Sequence, residues 1–541
     1  MSMGPPRPRP RAAGLMPRYA YERLSAQDNT FLLMERSNVY MHVAATSVYE
    51  SGPLVGPDGA FDIAAFRRAV EGFIHIIPRY REKLKWIPYA EAPVWVDDRY
   101  FNLDFHVRHT ALPRPGSDAQ LKKLAGRLMS QKLDRDRPLW EFWVVEGLEG
   151  GRFALISKIH HCMIDGSAGA DLATILMSLT PEQELPEIHP YVPRPAPTGR
   201  ELVQDELKRM MNLPAAIVRG LYDFGKHTEG IRGELFKRTS ALVELFGYAI
   251  KKASDTPLNG RLGPHRTFDW LGMSLEEVKA VRRHFGCTVN DLVLATVAGA
   301  VRSYLIRRRV DPTEIDFRVS APVSVRRDED RGKLGNHVSS WIVRLPIQEK
   351  DAVRRLESIH RVTDELKRSE QALGVQMLMA AAEWAPAQLL SLGSRSATGP
   401  INMIVTNVPG PQIPLYMLGS RLVEMYPQVP LLANTGLGVA LFSYNGRMCW
   451  GFNADPGVVP DIAEFVRMVR NSFDELASAA GVDLTGDLRV RVAGDAASTA
   501  GTGAAGDARD VSSVDAEEVS DEGIDGDADR AELPGNGRPR A

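Results

Sequence analysis

The amino-acid sequence predicts a mixed α/β (α+β) protein that folds into two lobes. Its 541 residues exceed what one ordinary hydrophobic core accommodates, so two domains of roughly 200 residues each are expected beside terminal tails. Helix and strand patterns occur in both halves of the chain, and a Pro-rich and helical stretch separates the halves. The composition, 44% hydrophobic and 25% charged, is that of a globular protein.

Helical and strand periodicities locate the individual elements. In the first half, an apolar stripe at helical intervals follows Asp62, and a glycine-rich turn separates two apolar strands that lead into paired histidines. The first half is predicted to contain helices from Asp62 and at 118–133 and strands at 140–145 and 152–161. The second half is predicted to contain helices from Ser274, at 290–307, from Asp351 and at 461–476, and strands near 317–321 and 337–345.

Composition divides the chain into five parts. An Arg/Pro-rich tail (1–18) and an acidic, Gly/Ala/Ser-rich tail (486–541) bury too little apolar surface to fold, so both are predicted to be disordered. Between them we expect an N-terminal lobe (19–185), a Pro-rich and helical linker that crosses between the lobes (186–264) and a C-terminal lobe (265–485).

Cysteine usage and hydropathy indicate the compartment. Cys162, Cys287 and Cys449 form no CxxC pair and no zinc-binding spacing, which favours a reducing cytoplasm. No apolar run approaches the ~18 residues that span a bilayer, and the N-terminus has no apolar segment of the secretory kind. Any membrane contact is therefore expected to be peripheral.

The segment HHCMIDG at 160–166 carries the predicted chemistry. If the preceding strand runs through His161, alternation places His160 and His161 on opposite faces, so the two imidazoles cannot do the same job. Imidazole titrates near neutral pH and suits a general base; His161 is assigned that role, with His160 as a positioning or packing residue. Asp165 is expected mainly to orient the loop. Gly166 is expected to supply a positive φ or to let substrate approach the main chain closely.

Three other interpretations of this segment remain open. The two histidines can be core residues whose nitrogens are satisfied by hydrogen bonds. A metal site is disfavoured because no HExxH pattern and no clustered third ligand accompany the pair, so neither a metal nor a cofactor is expected. Cys162 can serve as a nucleophile, although its apolar neighbours Met163 and Ile164 favour an inert thiol.

The motif matches the HHxxxDG signature of acyltransferases that depend on CoA or carrier proteins. From about Leu24 to about Leu476 the chain resembles the bacterial wax ester synthase/acyl-CoA:diacylglycerol acyltransferases. The matching stretches of the first half are LSAQDNTFLLME (24–35) with Met41-His42-Val43, PLWE (138–141) and HHCMIDGSAGADL (160–172). Those of the second half are LNGRLGPHR (258–266), TVNDLVLATVAGAVR (288–302), PVSVR (322–326), GNHVSSW (335–341) and TNVPGP (406–411).

This resemblance implies two lobes of chloramphenicol-acetyltransferase-like fold with a substrate tunnel between them and His161 as proton acceptor at its centre. It also implies that the Asn290-Asp291 pair approaches the catalytic region from the second lobe. Asn290 is then a candidate amide donor to the oxyanion or a support for His161, and capping the helix that begins there is its alternative role. In PLWE, Trp140 is expected to pack the lobe and Glu141 to fix a loop.

The implied activity is transfer of a long-chain acyl group from the co-substrate acyl-CoA to diacylglycerol or to a long-chain alcohol. We expect a cytoplasmic protein in peripheral contact with the inner face of the membrane or with lipid bodies, and no nucleic-acid partner. The rival functions are a carrier-protein-dependent condensation-type acyltransferase and a noncatalytic lipid-body surface protein. The first lacks support because no carrier or adenylation region is present, and the second because both histidines, Asp165 and Gly166 are retained.

Overall fold

Two large β-sheets, each with helices packed against it, form the body of the protein in the computed structural model. The structure describes residues 19–57, 59–90, 92–163, 172–209, 211, 253–324, 338–368 and 401–484. The predicted tails and the part of the predicted linker at 212–252 lie outside these ranges.

The helices and strands, in chain order, have the following bounds. The strands are β1 (Glu22–Arg23), β2 (His42–Glu50), β3 (Glu82–Trp86), β4 (Pro93–Asp97), β5 (Val107–Ala111), β6 (Trp140–Leu148), β7 (Arg152–His160), β8 (Met177–Ser178), β9 (Thr267–Ser274), β10 (Arg318–Ser324), β11 (Val338–Arg344), β12 (Met403–Pro409), β13 (Tyr416–Met417), β14 (Ser420–Gln428), β15 (Leu437–Tyr444) and β16 (Arg447–Ala454). The helices are α1 (Ala26–Met34), α2 (Ile63–Phe73), α3 (Leu103–His106), α4 (Asp118–Met129), α5 (Leu172–Ile175), α6 (Leu275–Phe285), α7 (Val289–Arg307), α8 (Ala352–Arg368) and α9 (Ile462–Ala479).

The first lobe is organised by a seven-stranded sheet in the order β5-β6-β7-β2-β14-β13-β8, beside a small sheet in the order β1-β4-β3. Helix α2 begins where the sequence predicts, because the Asp62 side chain accepts a hydrogen bond from the backbone N–H of Ala65. Helix α4 ends at Met129, four residues before the predicted end at 133. The Ser130 hydroxyl donates to the carbonyl of Gly126 there and satisfies the last turn.

The second lobe is organised by a six-stranded sheet in the order β11-β10-β12-β15-β16-β9. Helix α7 lies in its core, and Val297, Ala298 and Val301 on it are completely buried. Among the described residues, α7 is the one helix whose length and composition suit a membrane span, but 72% of its apolar window is buried inside the fold. We therefore interpret α7 as a core helix.

Two strands from the second half of the chain, β13 and β14, belong to the sheet of the first lobe. β14 pairs with β2 in antiparallel fashion, with Tyr426 opposite Thr46. Tyr426 also stacks on Trp270 of β9, with ring centroids 4.8 Å apart. A Cβ atom at Gly451 of β16 would lie 1.9 Å from the carbonyl oxygen of Pro427, so only glycine permits β14 to lie this close. Strand pairing thus crosses the predicted boundary between the lobes. The division of the chain into lobes at 19–185 and 265–485 stays a prediction.

Candidate active site

The predicted general base lies directly after β7 rather than within it. β7 ends at His160, and His161 begins a short 3₁₀ turn, His161–Met163. The backbone N–H of His161 still donates to the carbonyl of Met41 at 2.7 Å. The partner strand β2 begins at His42, opposite His160, so strand pairing stops there. The prediction that the strand runs through His161 is wrong by one residue.

The imidazole of His161 lies against an aromatic ring. It stacks on Phe31 of α1, with ring centroids 4.0 Å apart and an interplanar angle of 22°. The side chain is half-buried, and its Nδ1 atom is fully buried. Burial lowers the pKa of His161, an effect that the backbone carbonyl of the same residue opposes. The ring is therefore neutral at neutral pH, which is the state in which it accepts a proton.

His160 occupies a different environment, inside the lobe. It is 1% exposed and faces His42 across the strands, with ring centroids 5.6 Å apart. Its Nδ1 accepts a hydrogen bond from the backbone N–H of Cys162 at 3.2 Å, so the neutral ring carries its proton on Nε2. Burial, with the nearby His42, lowers the pKa of His160 to about 3. A buried, neutral ring that holds the following turn fits the predicted positioning role.

A buried carboxylate, that of Glu35, lies close to both buried histidines. Its side chain is 4% exposed, and its Oε1 lies 3.5 Å from Nε2 of His42 and 3.8 Å from Nε2 of His160. Arg135 donates from Nε to Oε2 of Glu35 at 3.0 Å. Burial alone would raise the pKa of Glu35, but the hydrogen bond from His42 and the charges of His160, His42 and Arg135 outweigh it and lower the pKa to about 2. Glu35 is therefore ionised beside two neutral imidazoles.

The sequence analysis assigned no role to Glu35, His42 or Arg135. Glu35 and His42 lie within stretches that match the family, but a helix end, a strand start and a loop give no sequence signal that they meet. A histidine within the apolar strand β2 was the one available hint that a polar partner had to be buried nearby.

Of the other predicted residues of the segment, Cys162 lies within the described residues of the structure, whereas Asp165 and Gly166 do not. Cys162 is 1% exposed, and burial raises the pKa of its thiol well above the usual value, which disfavours a thiolate nucleophile. Asp165 and Gly166 lie outside the described residues, and their roles stay predictions. Within the described ranges, no group of three or more His, Cys, Asp and Glu side chains is arranged to hold a metal ion.

Asn290 does not cap α7. The N-cap is Thr288, whose side chain accepts from the N–H of Asp291 while the Asp291 carboxylate accepts from the N–H of Thr288. The capping alternative for Asn290 is therefore wrong. Its exposed side chain instead accepts a hydrogen bond at 2.8 Å from Nδ2 of Asn407 in the TNVPGP stretch. No hydrogen bond between described side chains joins Asn290 to His161, and its catalytic role stays a prediction.

The PLWE stretch is structural. Trp140 is fully buried, donates from Nε1 to the carbonyl of Tyr80 at 2.8 Å and stacks on His106. This confirms that Trp140 packs the lobe. Glu141 accepts from Nε1 of Trp143 at 3.0 Å and pairs with Arg108 at 3.2 Å. It therefore links the neighbouring strands β5 and β6, and the expectation that it fixes a loop is wrong.

Comparison with known proteins bears on the chemistry of this site. Residues 24–293 match the family model of the wax ester synthase/diacylglycerol acyltransferase catalytic domain, and residues 334–477 match that of the WS/DGAT C-terminal domain. A protein of Mycobacterium tuberculosis H37Rv named as a diacylglycerol O-acyltransferase is 33% identical over 464 residues, which cover 82% of this chain and 88% of the relative. The chain belongs to the wax ester synthase/diacylglycerol acyltransferase family. Its members carry the names of acyl-transferring enzymes, as the sequence analysis predicted.

Further relatives of this WS/DGAT family member match over a similar share of the chain. A second M. tuberculosis protein with the diacylglycerol O-acyltransferase name is 32% identical over 474 residues, 86% of this chain and 97% of that relative. The solved wax ester synthase/diacylglycerol acyltransferase from Marinobacter aquaeolei VT8 matches with a TM-score of 0.61 and 24% identity, covering 85% of this chain and 100% of that chain. The first condensation domain of the calcium-dependent antibiotic synthetase matches with a TM-score of 0.53 and 15% identity, covering 86% and 98%.

These structural matches concern the fold. They confirm the predicted two-lobed α/β class, in which WS/DGAT proteins and condensation domains share one architecture. The predicted tunnel between the lobes stays a prediction.

Proposed function

We propose that this WS/DGAT family member transfers a long-chain acyl group from acyl-CoA to the hydroxyl of diacylglycerol or of a long-chain alcohol. The observation that carries the proposal is the half-buried imidazole of His161, whose lowered pKa keeps it neutral. Family membership supplies the reaction class, and the relatives named as diacylglycerol O-acyltransferases support diacylglycerol as one acceptor.

His161 acts in this proposal as the general base. Because its Nδ1 is buried, Nε2 is the nitrogen that takes the proton of the acceptor hydroxyl in this proposal. The alcohol oxygen bonds to the thioester carbon, and the tetrahedral intermediate then expels the CoA thiolate. The proton passes from His161 to that sulfur, so the products are an ester and free CoA. The oxyanion of the intermediate needs a donor, for which Asn290 is the candidate.

The first prediction concerns His161. We expect purified protein to form ester and release CoA from hexadecanoyl-CoA with 1,2-diacylglycerol, hexadecanol or both, each assayed separately. His161→Ala should lower kcat by at least about a hundredfold, because a positioned base contributes that much or more. His161→Gln keeps a larger side chain against Phe31 and so separates loss of the base from loss of packing. His265→Ala, at an exposed histidine, is the control. Normal turnover by both His161 variants would rule out the base; no transfer by the unaltered protein would rule out the activity.

We also propose that the protein makes peripheral contact with a membrane or lipid-body surface on its cytoplasmic side. Acyl-CoA, diacylglycerol and long-chain alcohols gather at such surfaces. Large apolar side chains are exposed in and beside the segment that follows β8: Leu179 is 66%, Val192 80% and Met211 81% exposed. Such exposure along one segment supports a lipid-facing surface.

The second prediction tests this contact. The triple variant Leu179→Ser, Val192→Ser, Met211→Ser should lose most of its co-flotation with vesicles of anionic phospholipid, because it removes the apolar surface that enters the lipid. Tyr100→Ser, at a residue 76% exposed elsewhere on the first lobe, is the matched control and should float like the unaltered protein. Equal flotation of the triple variant would contradict this surface, and failure of the unaltered protein to float at low salt would contradict membrane contact itself.

A further inference from the structure

A cavity of about 120 Å³ lies between α7, α8 and the sheet of the second lobe. Where it meets the sheet, its wall is apolar and includes Ala321, Val343 and Val405. Near the start of α7 it is polar and includes Asn290 and Asn407, which are hydrogen-bonded to each other. An apolar chamber with a few polar groups at one end is typical of small-molecule sites.

Two residues that line this cavity each have a buried polar atom without a hydrogen-bond partner. Trp341, opposite Ala321 in the β10–β11 pair, is 7% exposed, and its Nε1 is buried and unpartnered. The Oδ1 of Asn407 is also buried and unpartnered, because only the Nδ2 of that side chain is used, on Asn290. Trp341 and Asn407 therefore carry one buried free donor and one buried free acceptor. Native proteins leave few buried polar groups unsatisfied, and a bound ligand is one explanation for those that remain.

The other charged and polar side chains of the cavity are engaged. The carboxylate of Asp291 accepts from Thr363 at 2.6 Å and from Nδ1 of His360 at 2.8 Å. Lys367 donates to Asp364 at 3.3 Å. A ligand that complements Trp341 and Asn407 must consequently be uncharged, and it must present one acceptor and one donor between apolar carbons.

A secondary amide meets these requirements. Its carbonyl accepts, its N–H donates, and its flanking methylene groups suit the apolar wall. The ester groups of diacylglycerol only accept, and a hydroxyl of diacylglycerol or of an alcohol presents donor and acceptor on one oxygen atom. Trp341 and Asn407 lie on strands separated by β10, so a group that donates and accepts from two different atoms suits them better. The pantetheine arm of CoA contains two secondary amides.

We propose that this cavity binds an amide of the pantetheine arm of acyl-CoA. Nε1–H of Trp341 donates to the amide carbonyl, and Oδ1 of Asn407 accepts from the amide N–H. The inference rests on the proposed function, because it takes acyl-CoA as the acyl donor. Asn407 then connects the bound arm to Asn290 through the hydrogen bond that the two residues share.

The third prediction compares hexadecanoyl thioesters of CoA, of N-acetylcysteamine, which keeps one amide, and of ethanethiol, which has none. Trp341→Phe should lower kcat/KM for the two amide-containing donors about three- to tenfold, the usual effect of one net hydrogen bond. Its kcat/KM for the ethanethiol ester should stay within about twofold. Trp450→Phe is the matched control: Trp450 is 1% exposed in the same core, and its Nε1 is also unpartnered, but it does not line this cavity.

A second variant makes the test independent of how Trp341→Phe folds. Asn407→Leu removes the acceptor and also the hydrogen bond to Asn290, so it should lower kcat on all three thioesters and lower kcat/KM about three- to tenfold further on the two amide-containing donors. Equal losses on all three thioesters, no loss on any, or a loss confined to the KM of the alcohol acceptor would each overturn the amide site. If the unaltered protein uses all three thioesters but prefers no amide, this inference fails while the proposed function stands. If it uses none of the three, the proposed function fails first.

Discussion

At the residue scale, His160 and His161 are chain neighbours with opposite surroundings. His161 stacks on Phe31 and keeps part of its ring exposed, whereas His160 is buried beside His42 and Glu35. The exposed ring is available to a substrate, and the buried one fixes the turn through the N–H of Cys162. The end of β7 thus gives the two histidines of one motif different surroundings, and their roles as base and as positioning residue stay predictions.

The fourth prediction follows from the lowered pKa of the two buried histidines. Burial, the largest cause for each, lowers the pKa of His42 to about 4 and that of His160 to about 3, below the 6.5 of a free imidazole. As the pH falls below 6.5, these histidines bind protons in the unfolded chain but not in the folded state. Stability is therefore lost from pH 6.5 down to about 4. We expect the free energy of unfolding to fall on the order of 1 kcal/mol per pH unit for each histidine.

Chemical denaturation between pH 7 and pH 4.5 measures this slope. Glu35, with its pKa of about 2 against 4.5 in the unfolded chain, begins to contribute in the same direction near the lower end of this range, so the slope due to the histidines is read above about pH 5.5. His42→Gln should make the slope shallower, and His265→Gln, at an exposed histidine, should leave it as in the unaltered protein. An unchanged slope in His42→Gln would contradict a neutral, buried His42.

Sequence reasoning named candidate residues for the chemistry, which stay predictions, but not the residues that surround them. His161 and His160 were separable because strand periodicity is local, and the two rings have different surroundings although the strand ends one residue early. Glu35, His42 and Arg135 were not found because their contacts join a helix end, a strand start and a loop that are distant in the chain. Local periodicity contains no information on such contacts.

At the scale of elements, the start of α7 shows how a motif combines stability and chemistry. Thr288 and Asp291 form a reciprocal cap, and Asp291 also accepts hydrogen bonds from Thr363 and His360 of α8. These bonds, against the opposing effect of burial, lower the pKa of Asp291. Asn290, between the two capping residues, is left to contact Asn407. In the Asn-Asp pair, the aspartate caps the helix, whereas the asparagine contacts Asn407, and its catalytic role stays a prediction.

The fifth prediction separates these two roles. Asp291→Ala should lower the free energy of unfolding by about 3 kcal/mol, because it removes a cap and leaves Thr363 and His360 without their buried acceptor. Asn290→Ala should change it by less than about 0.5 kcal/mol, because its side chain is exposed and caps nothing, while kcat falls. Denaturant unfolding and turnover of the two variants provide the comparison. Equal destabilisation by both would contradict this division.

Long helices were predictable because each has its own apolar stripe or its own cap. Asp62 starts α2, and Asp118 begins α4, as predicted. Helix ends and short strands were less accessible. The end of α4 depends on the bond that Ser130 makes, and the short strands β8 and β13 exist through pairing with each other and with β14. A strand of two residues is too short to show a period-two pattern, so its pairing with distant strands cannot be predicted from the sequence.

At the scale of the whole molecule, β13 and β14 from the second half of the chain lie in the sheet of the first lobe, so the lobes are joined by strand pairing as well as by packing. α4 of the first lobe packs, through Leu121 and Leu128, into a core that includes Phe268 and Trp270 of β9 and Tyr426 of β14. The sequence predicted two lobes from length and alternation, and the structural matches confirm that class. It did not predict the strand exchange, because each half contains enough strands to form a sheet by itself.

The pairing of β14 with β2 also has a consequence for the synthesis of the protein. β2 and β7 leave the ribosome well before β14, which lies more than 250 residues further along the chain. At synthesis rates of about 5 to 20 residues per second, the edge of β2 waits on the order of tens of seconds for its partner. An unpaired edge in the middle of a future sheet is a template for pairing with other chains. During synthesis, β2 is therefore the segment of the nascent chain that a ribosome-associated chaperone has most reason to cover.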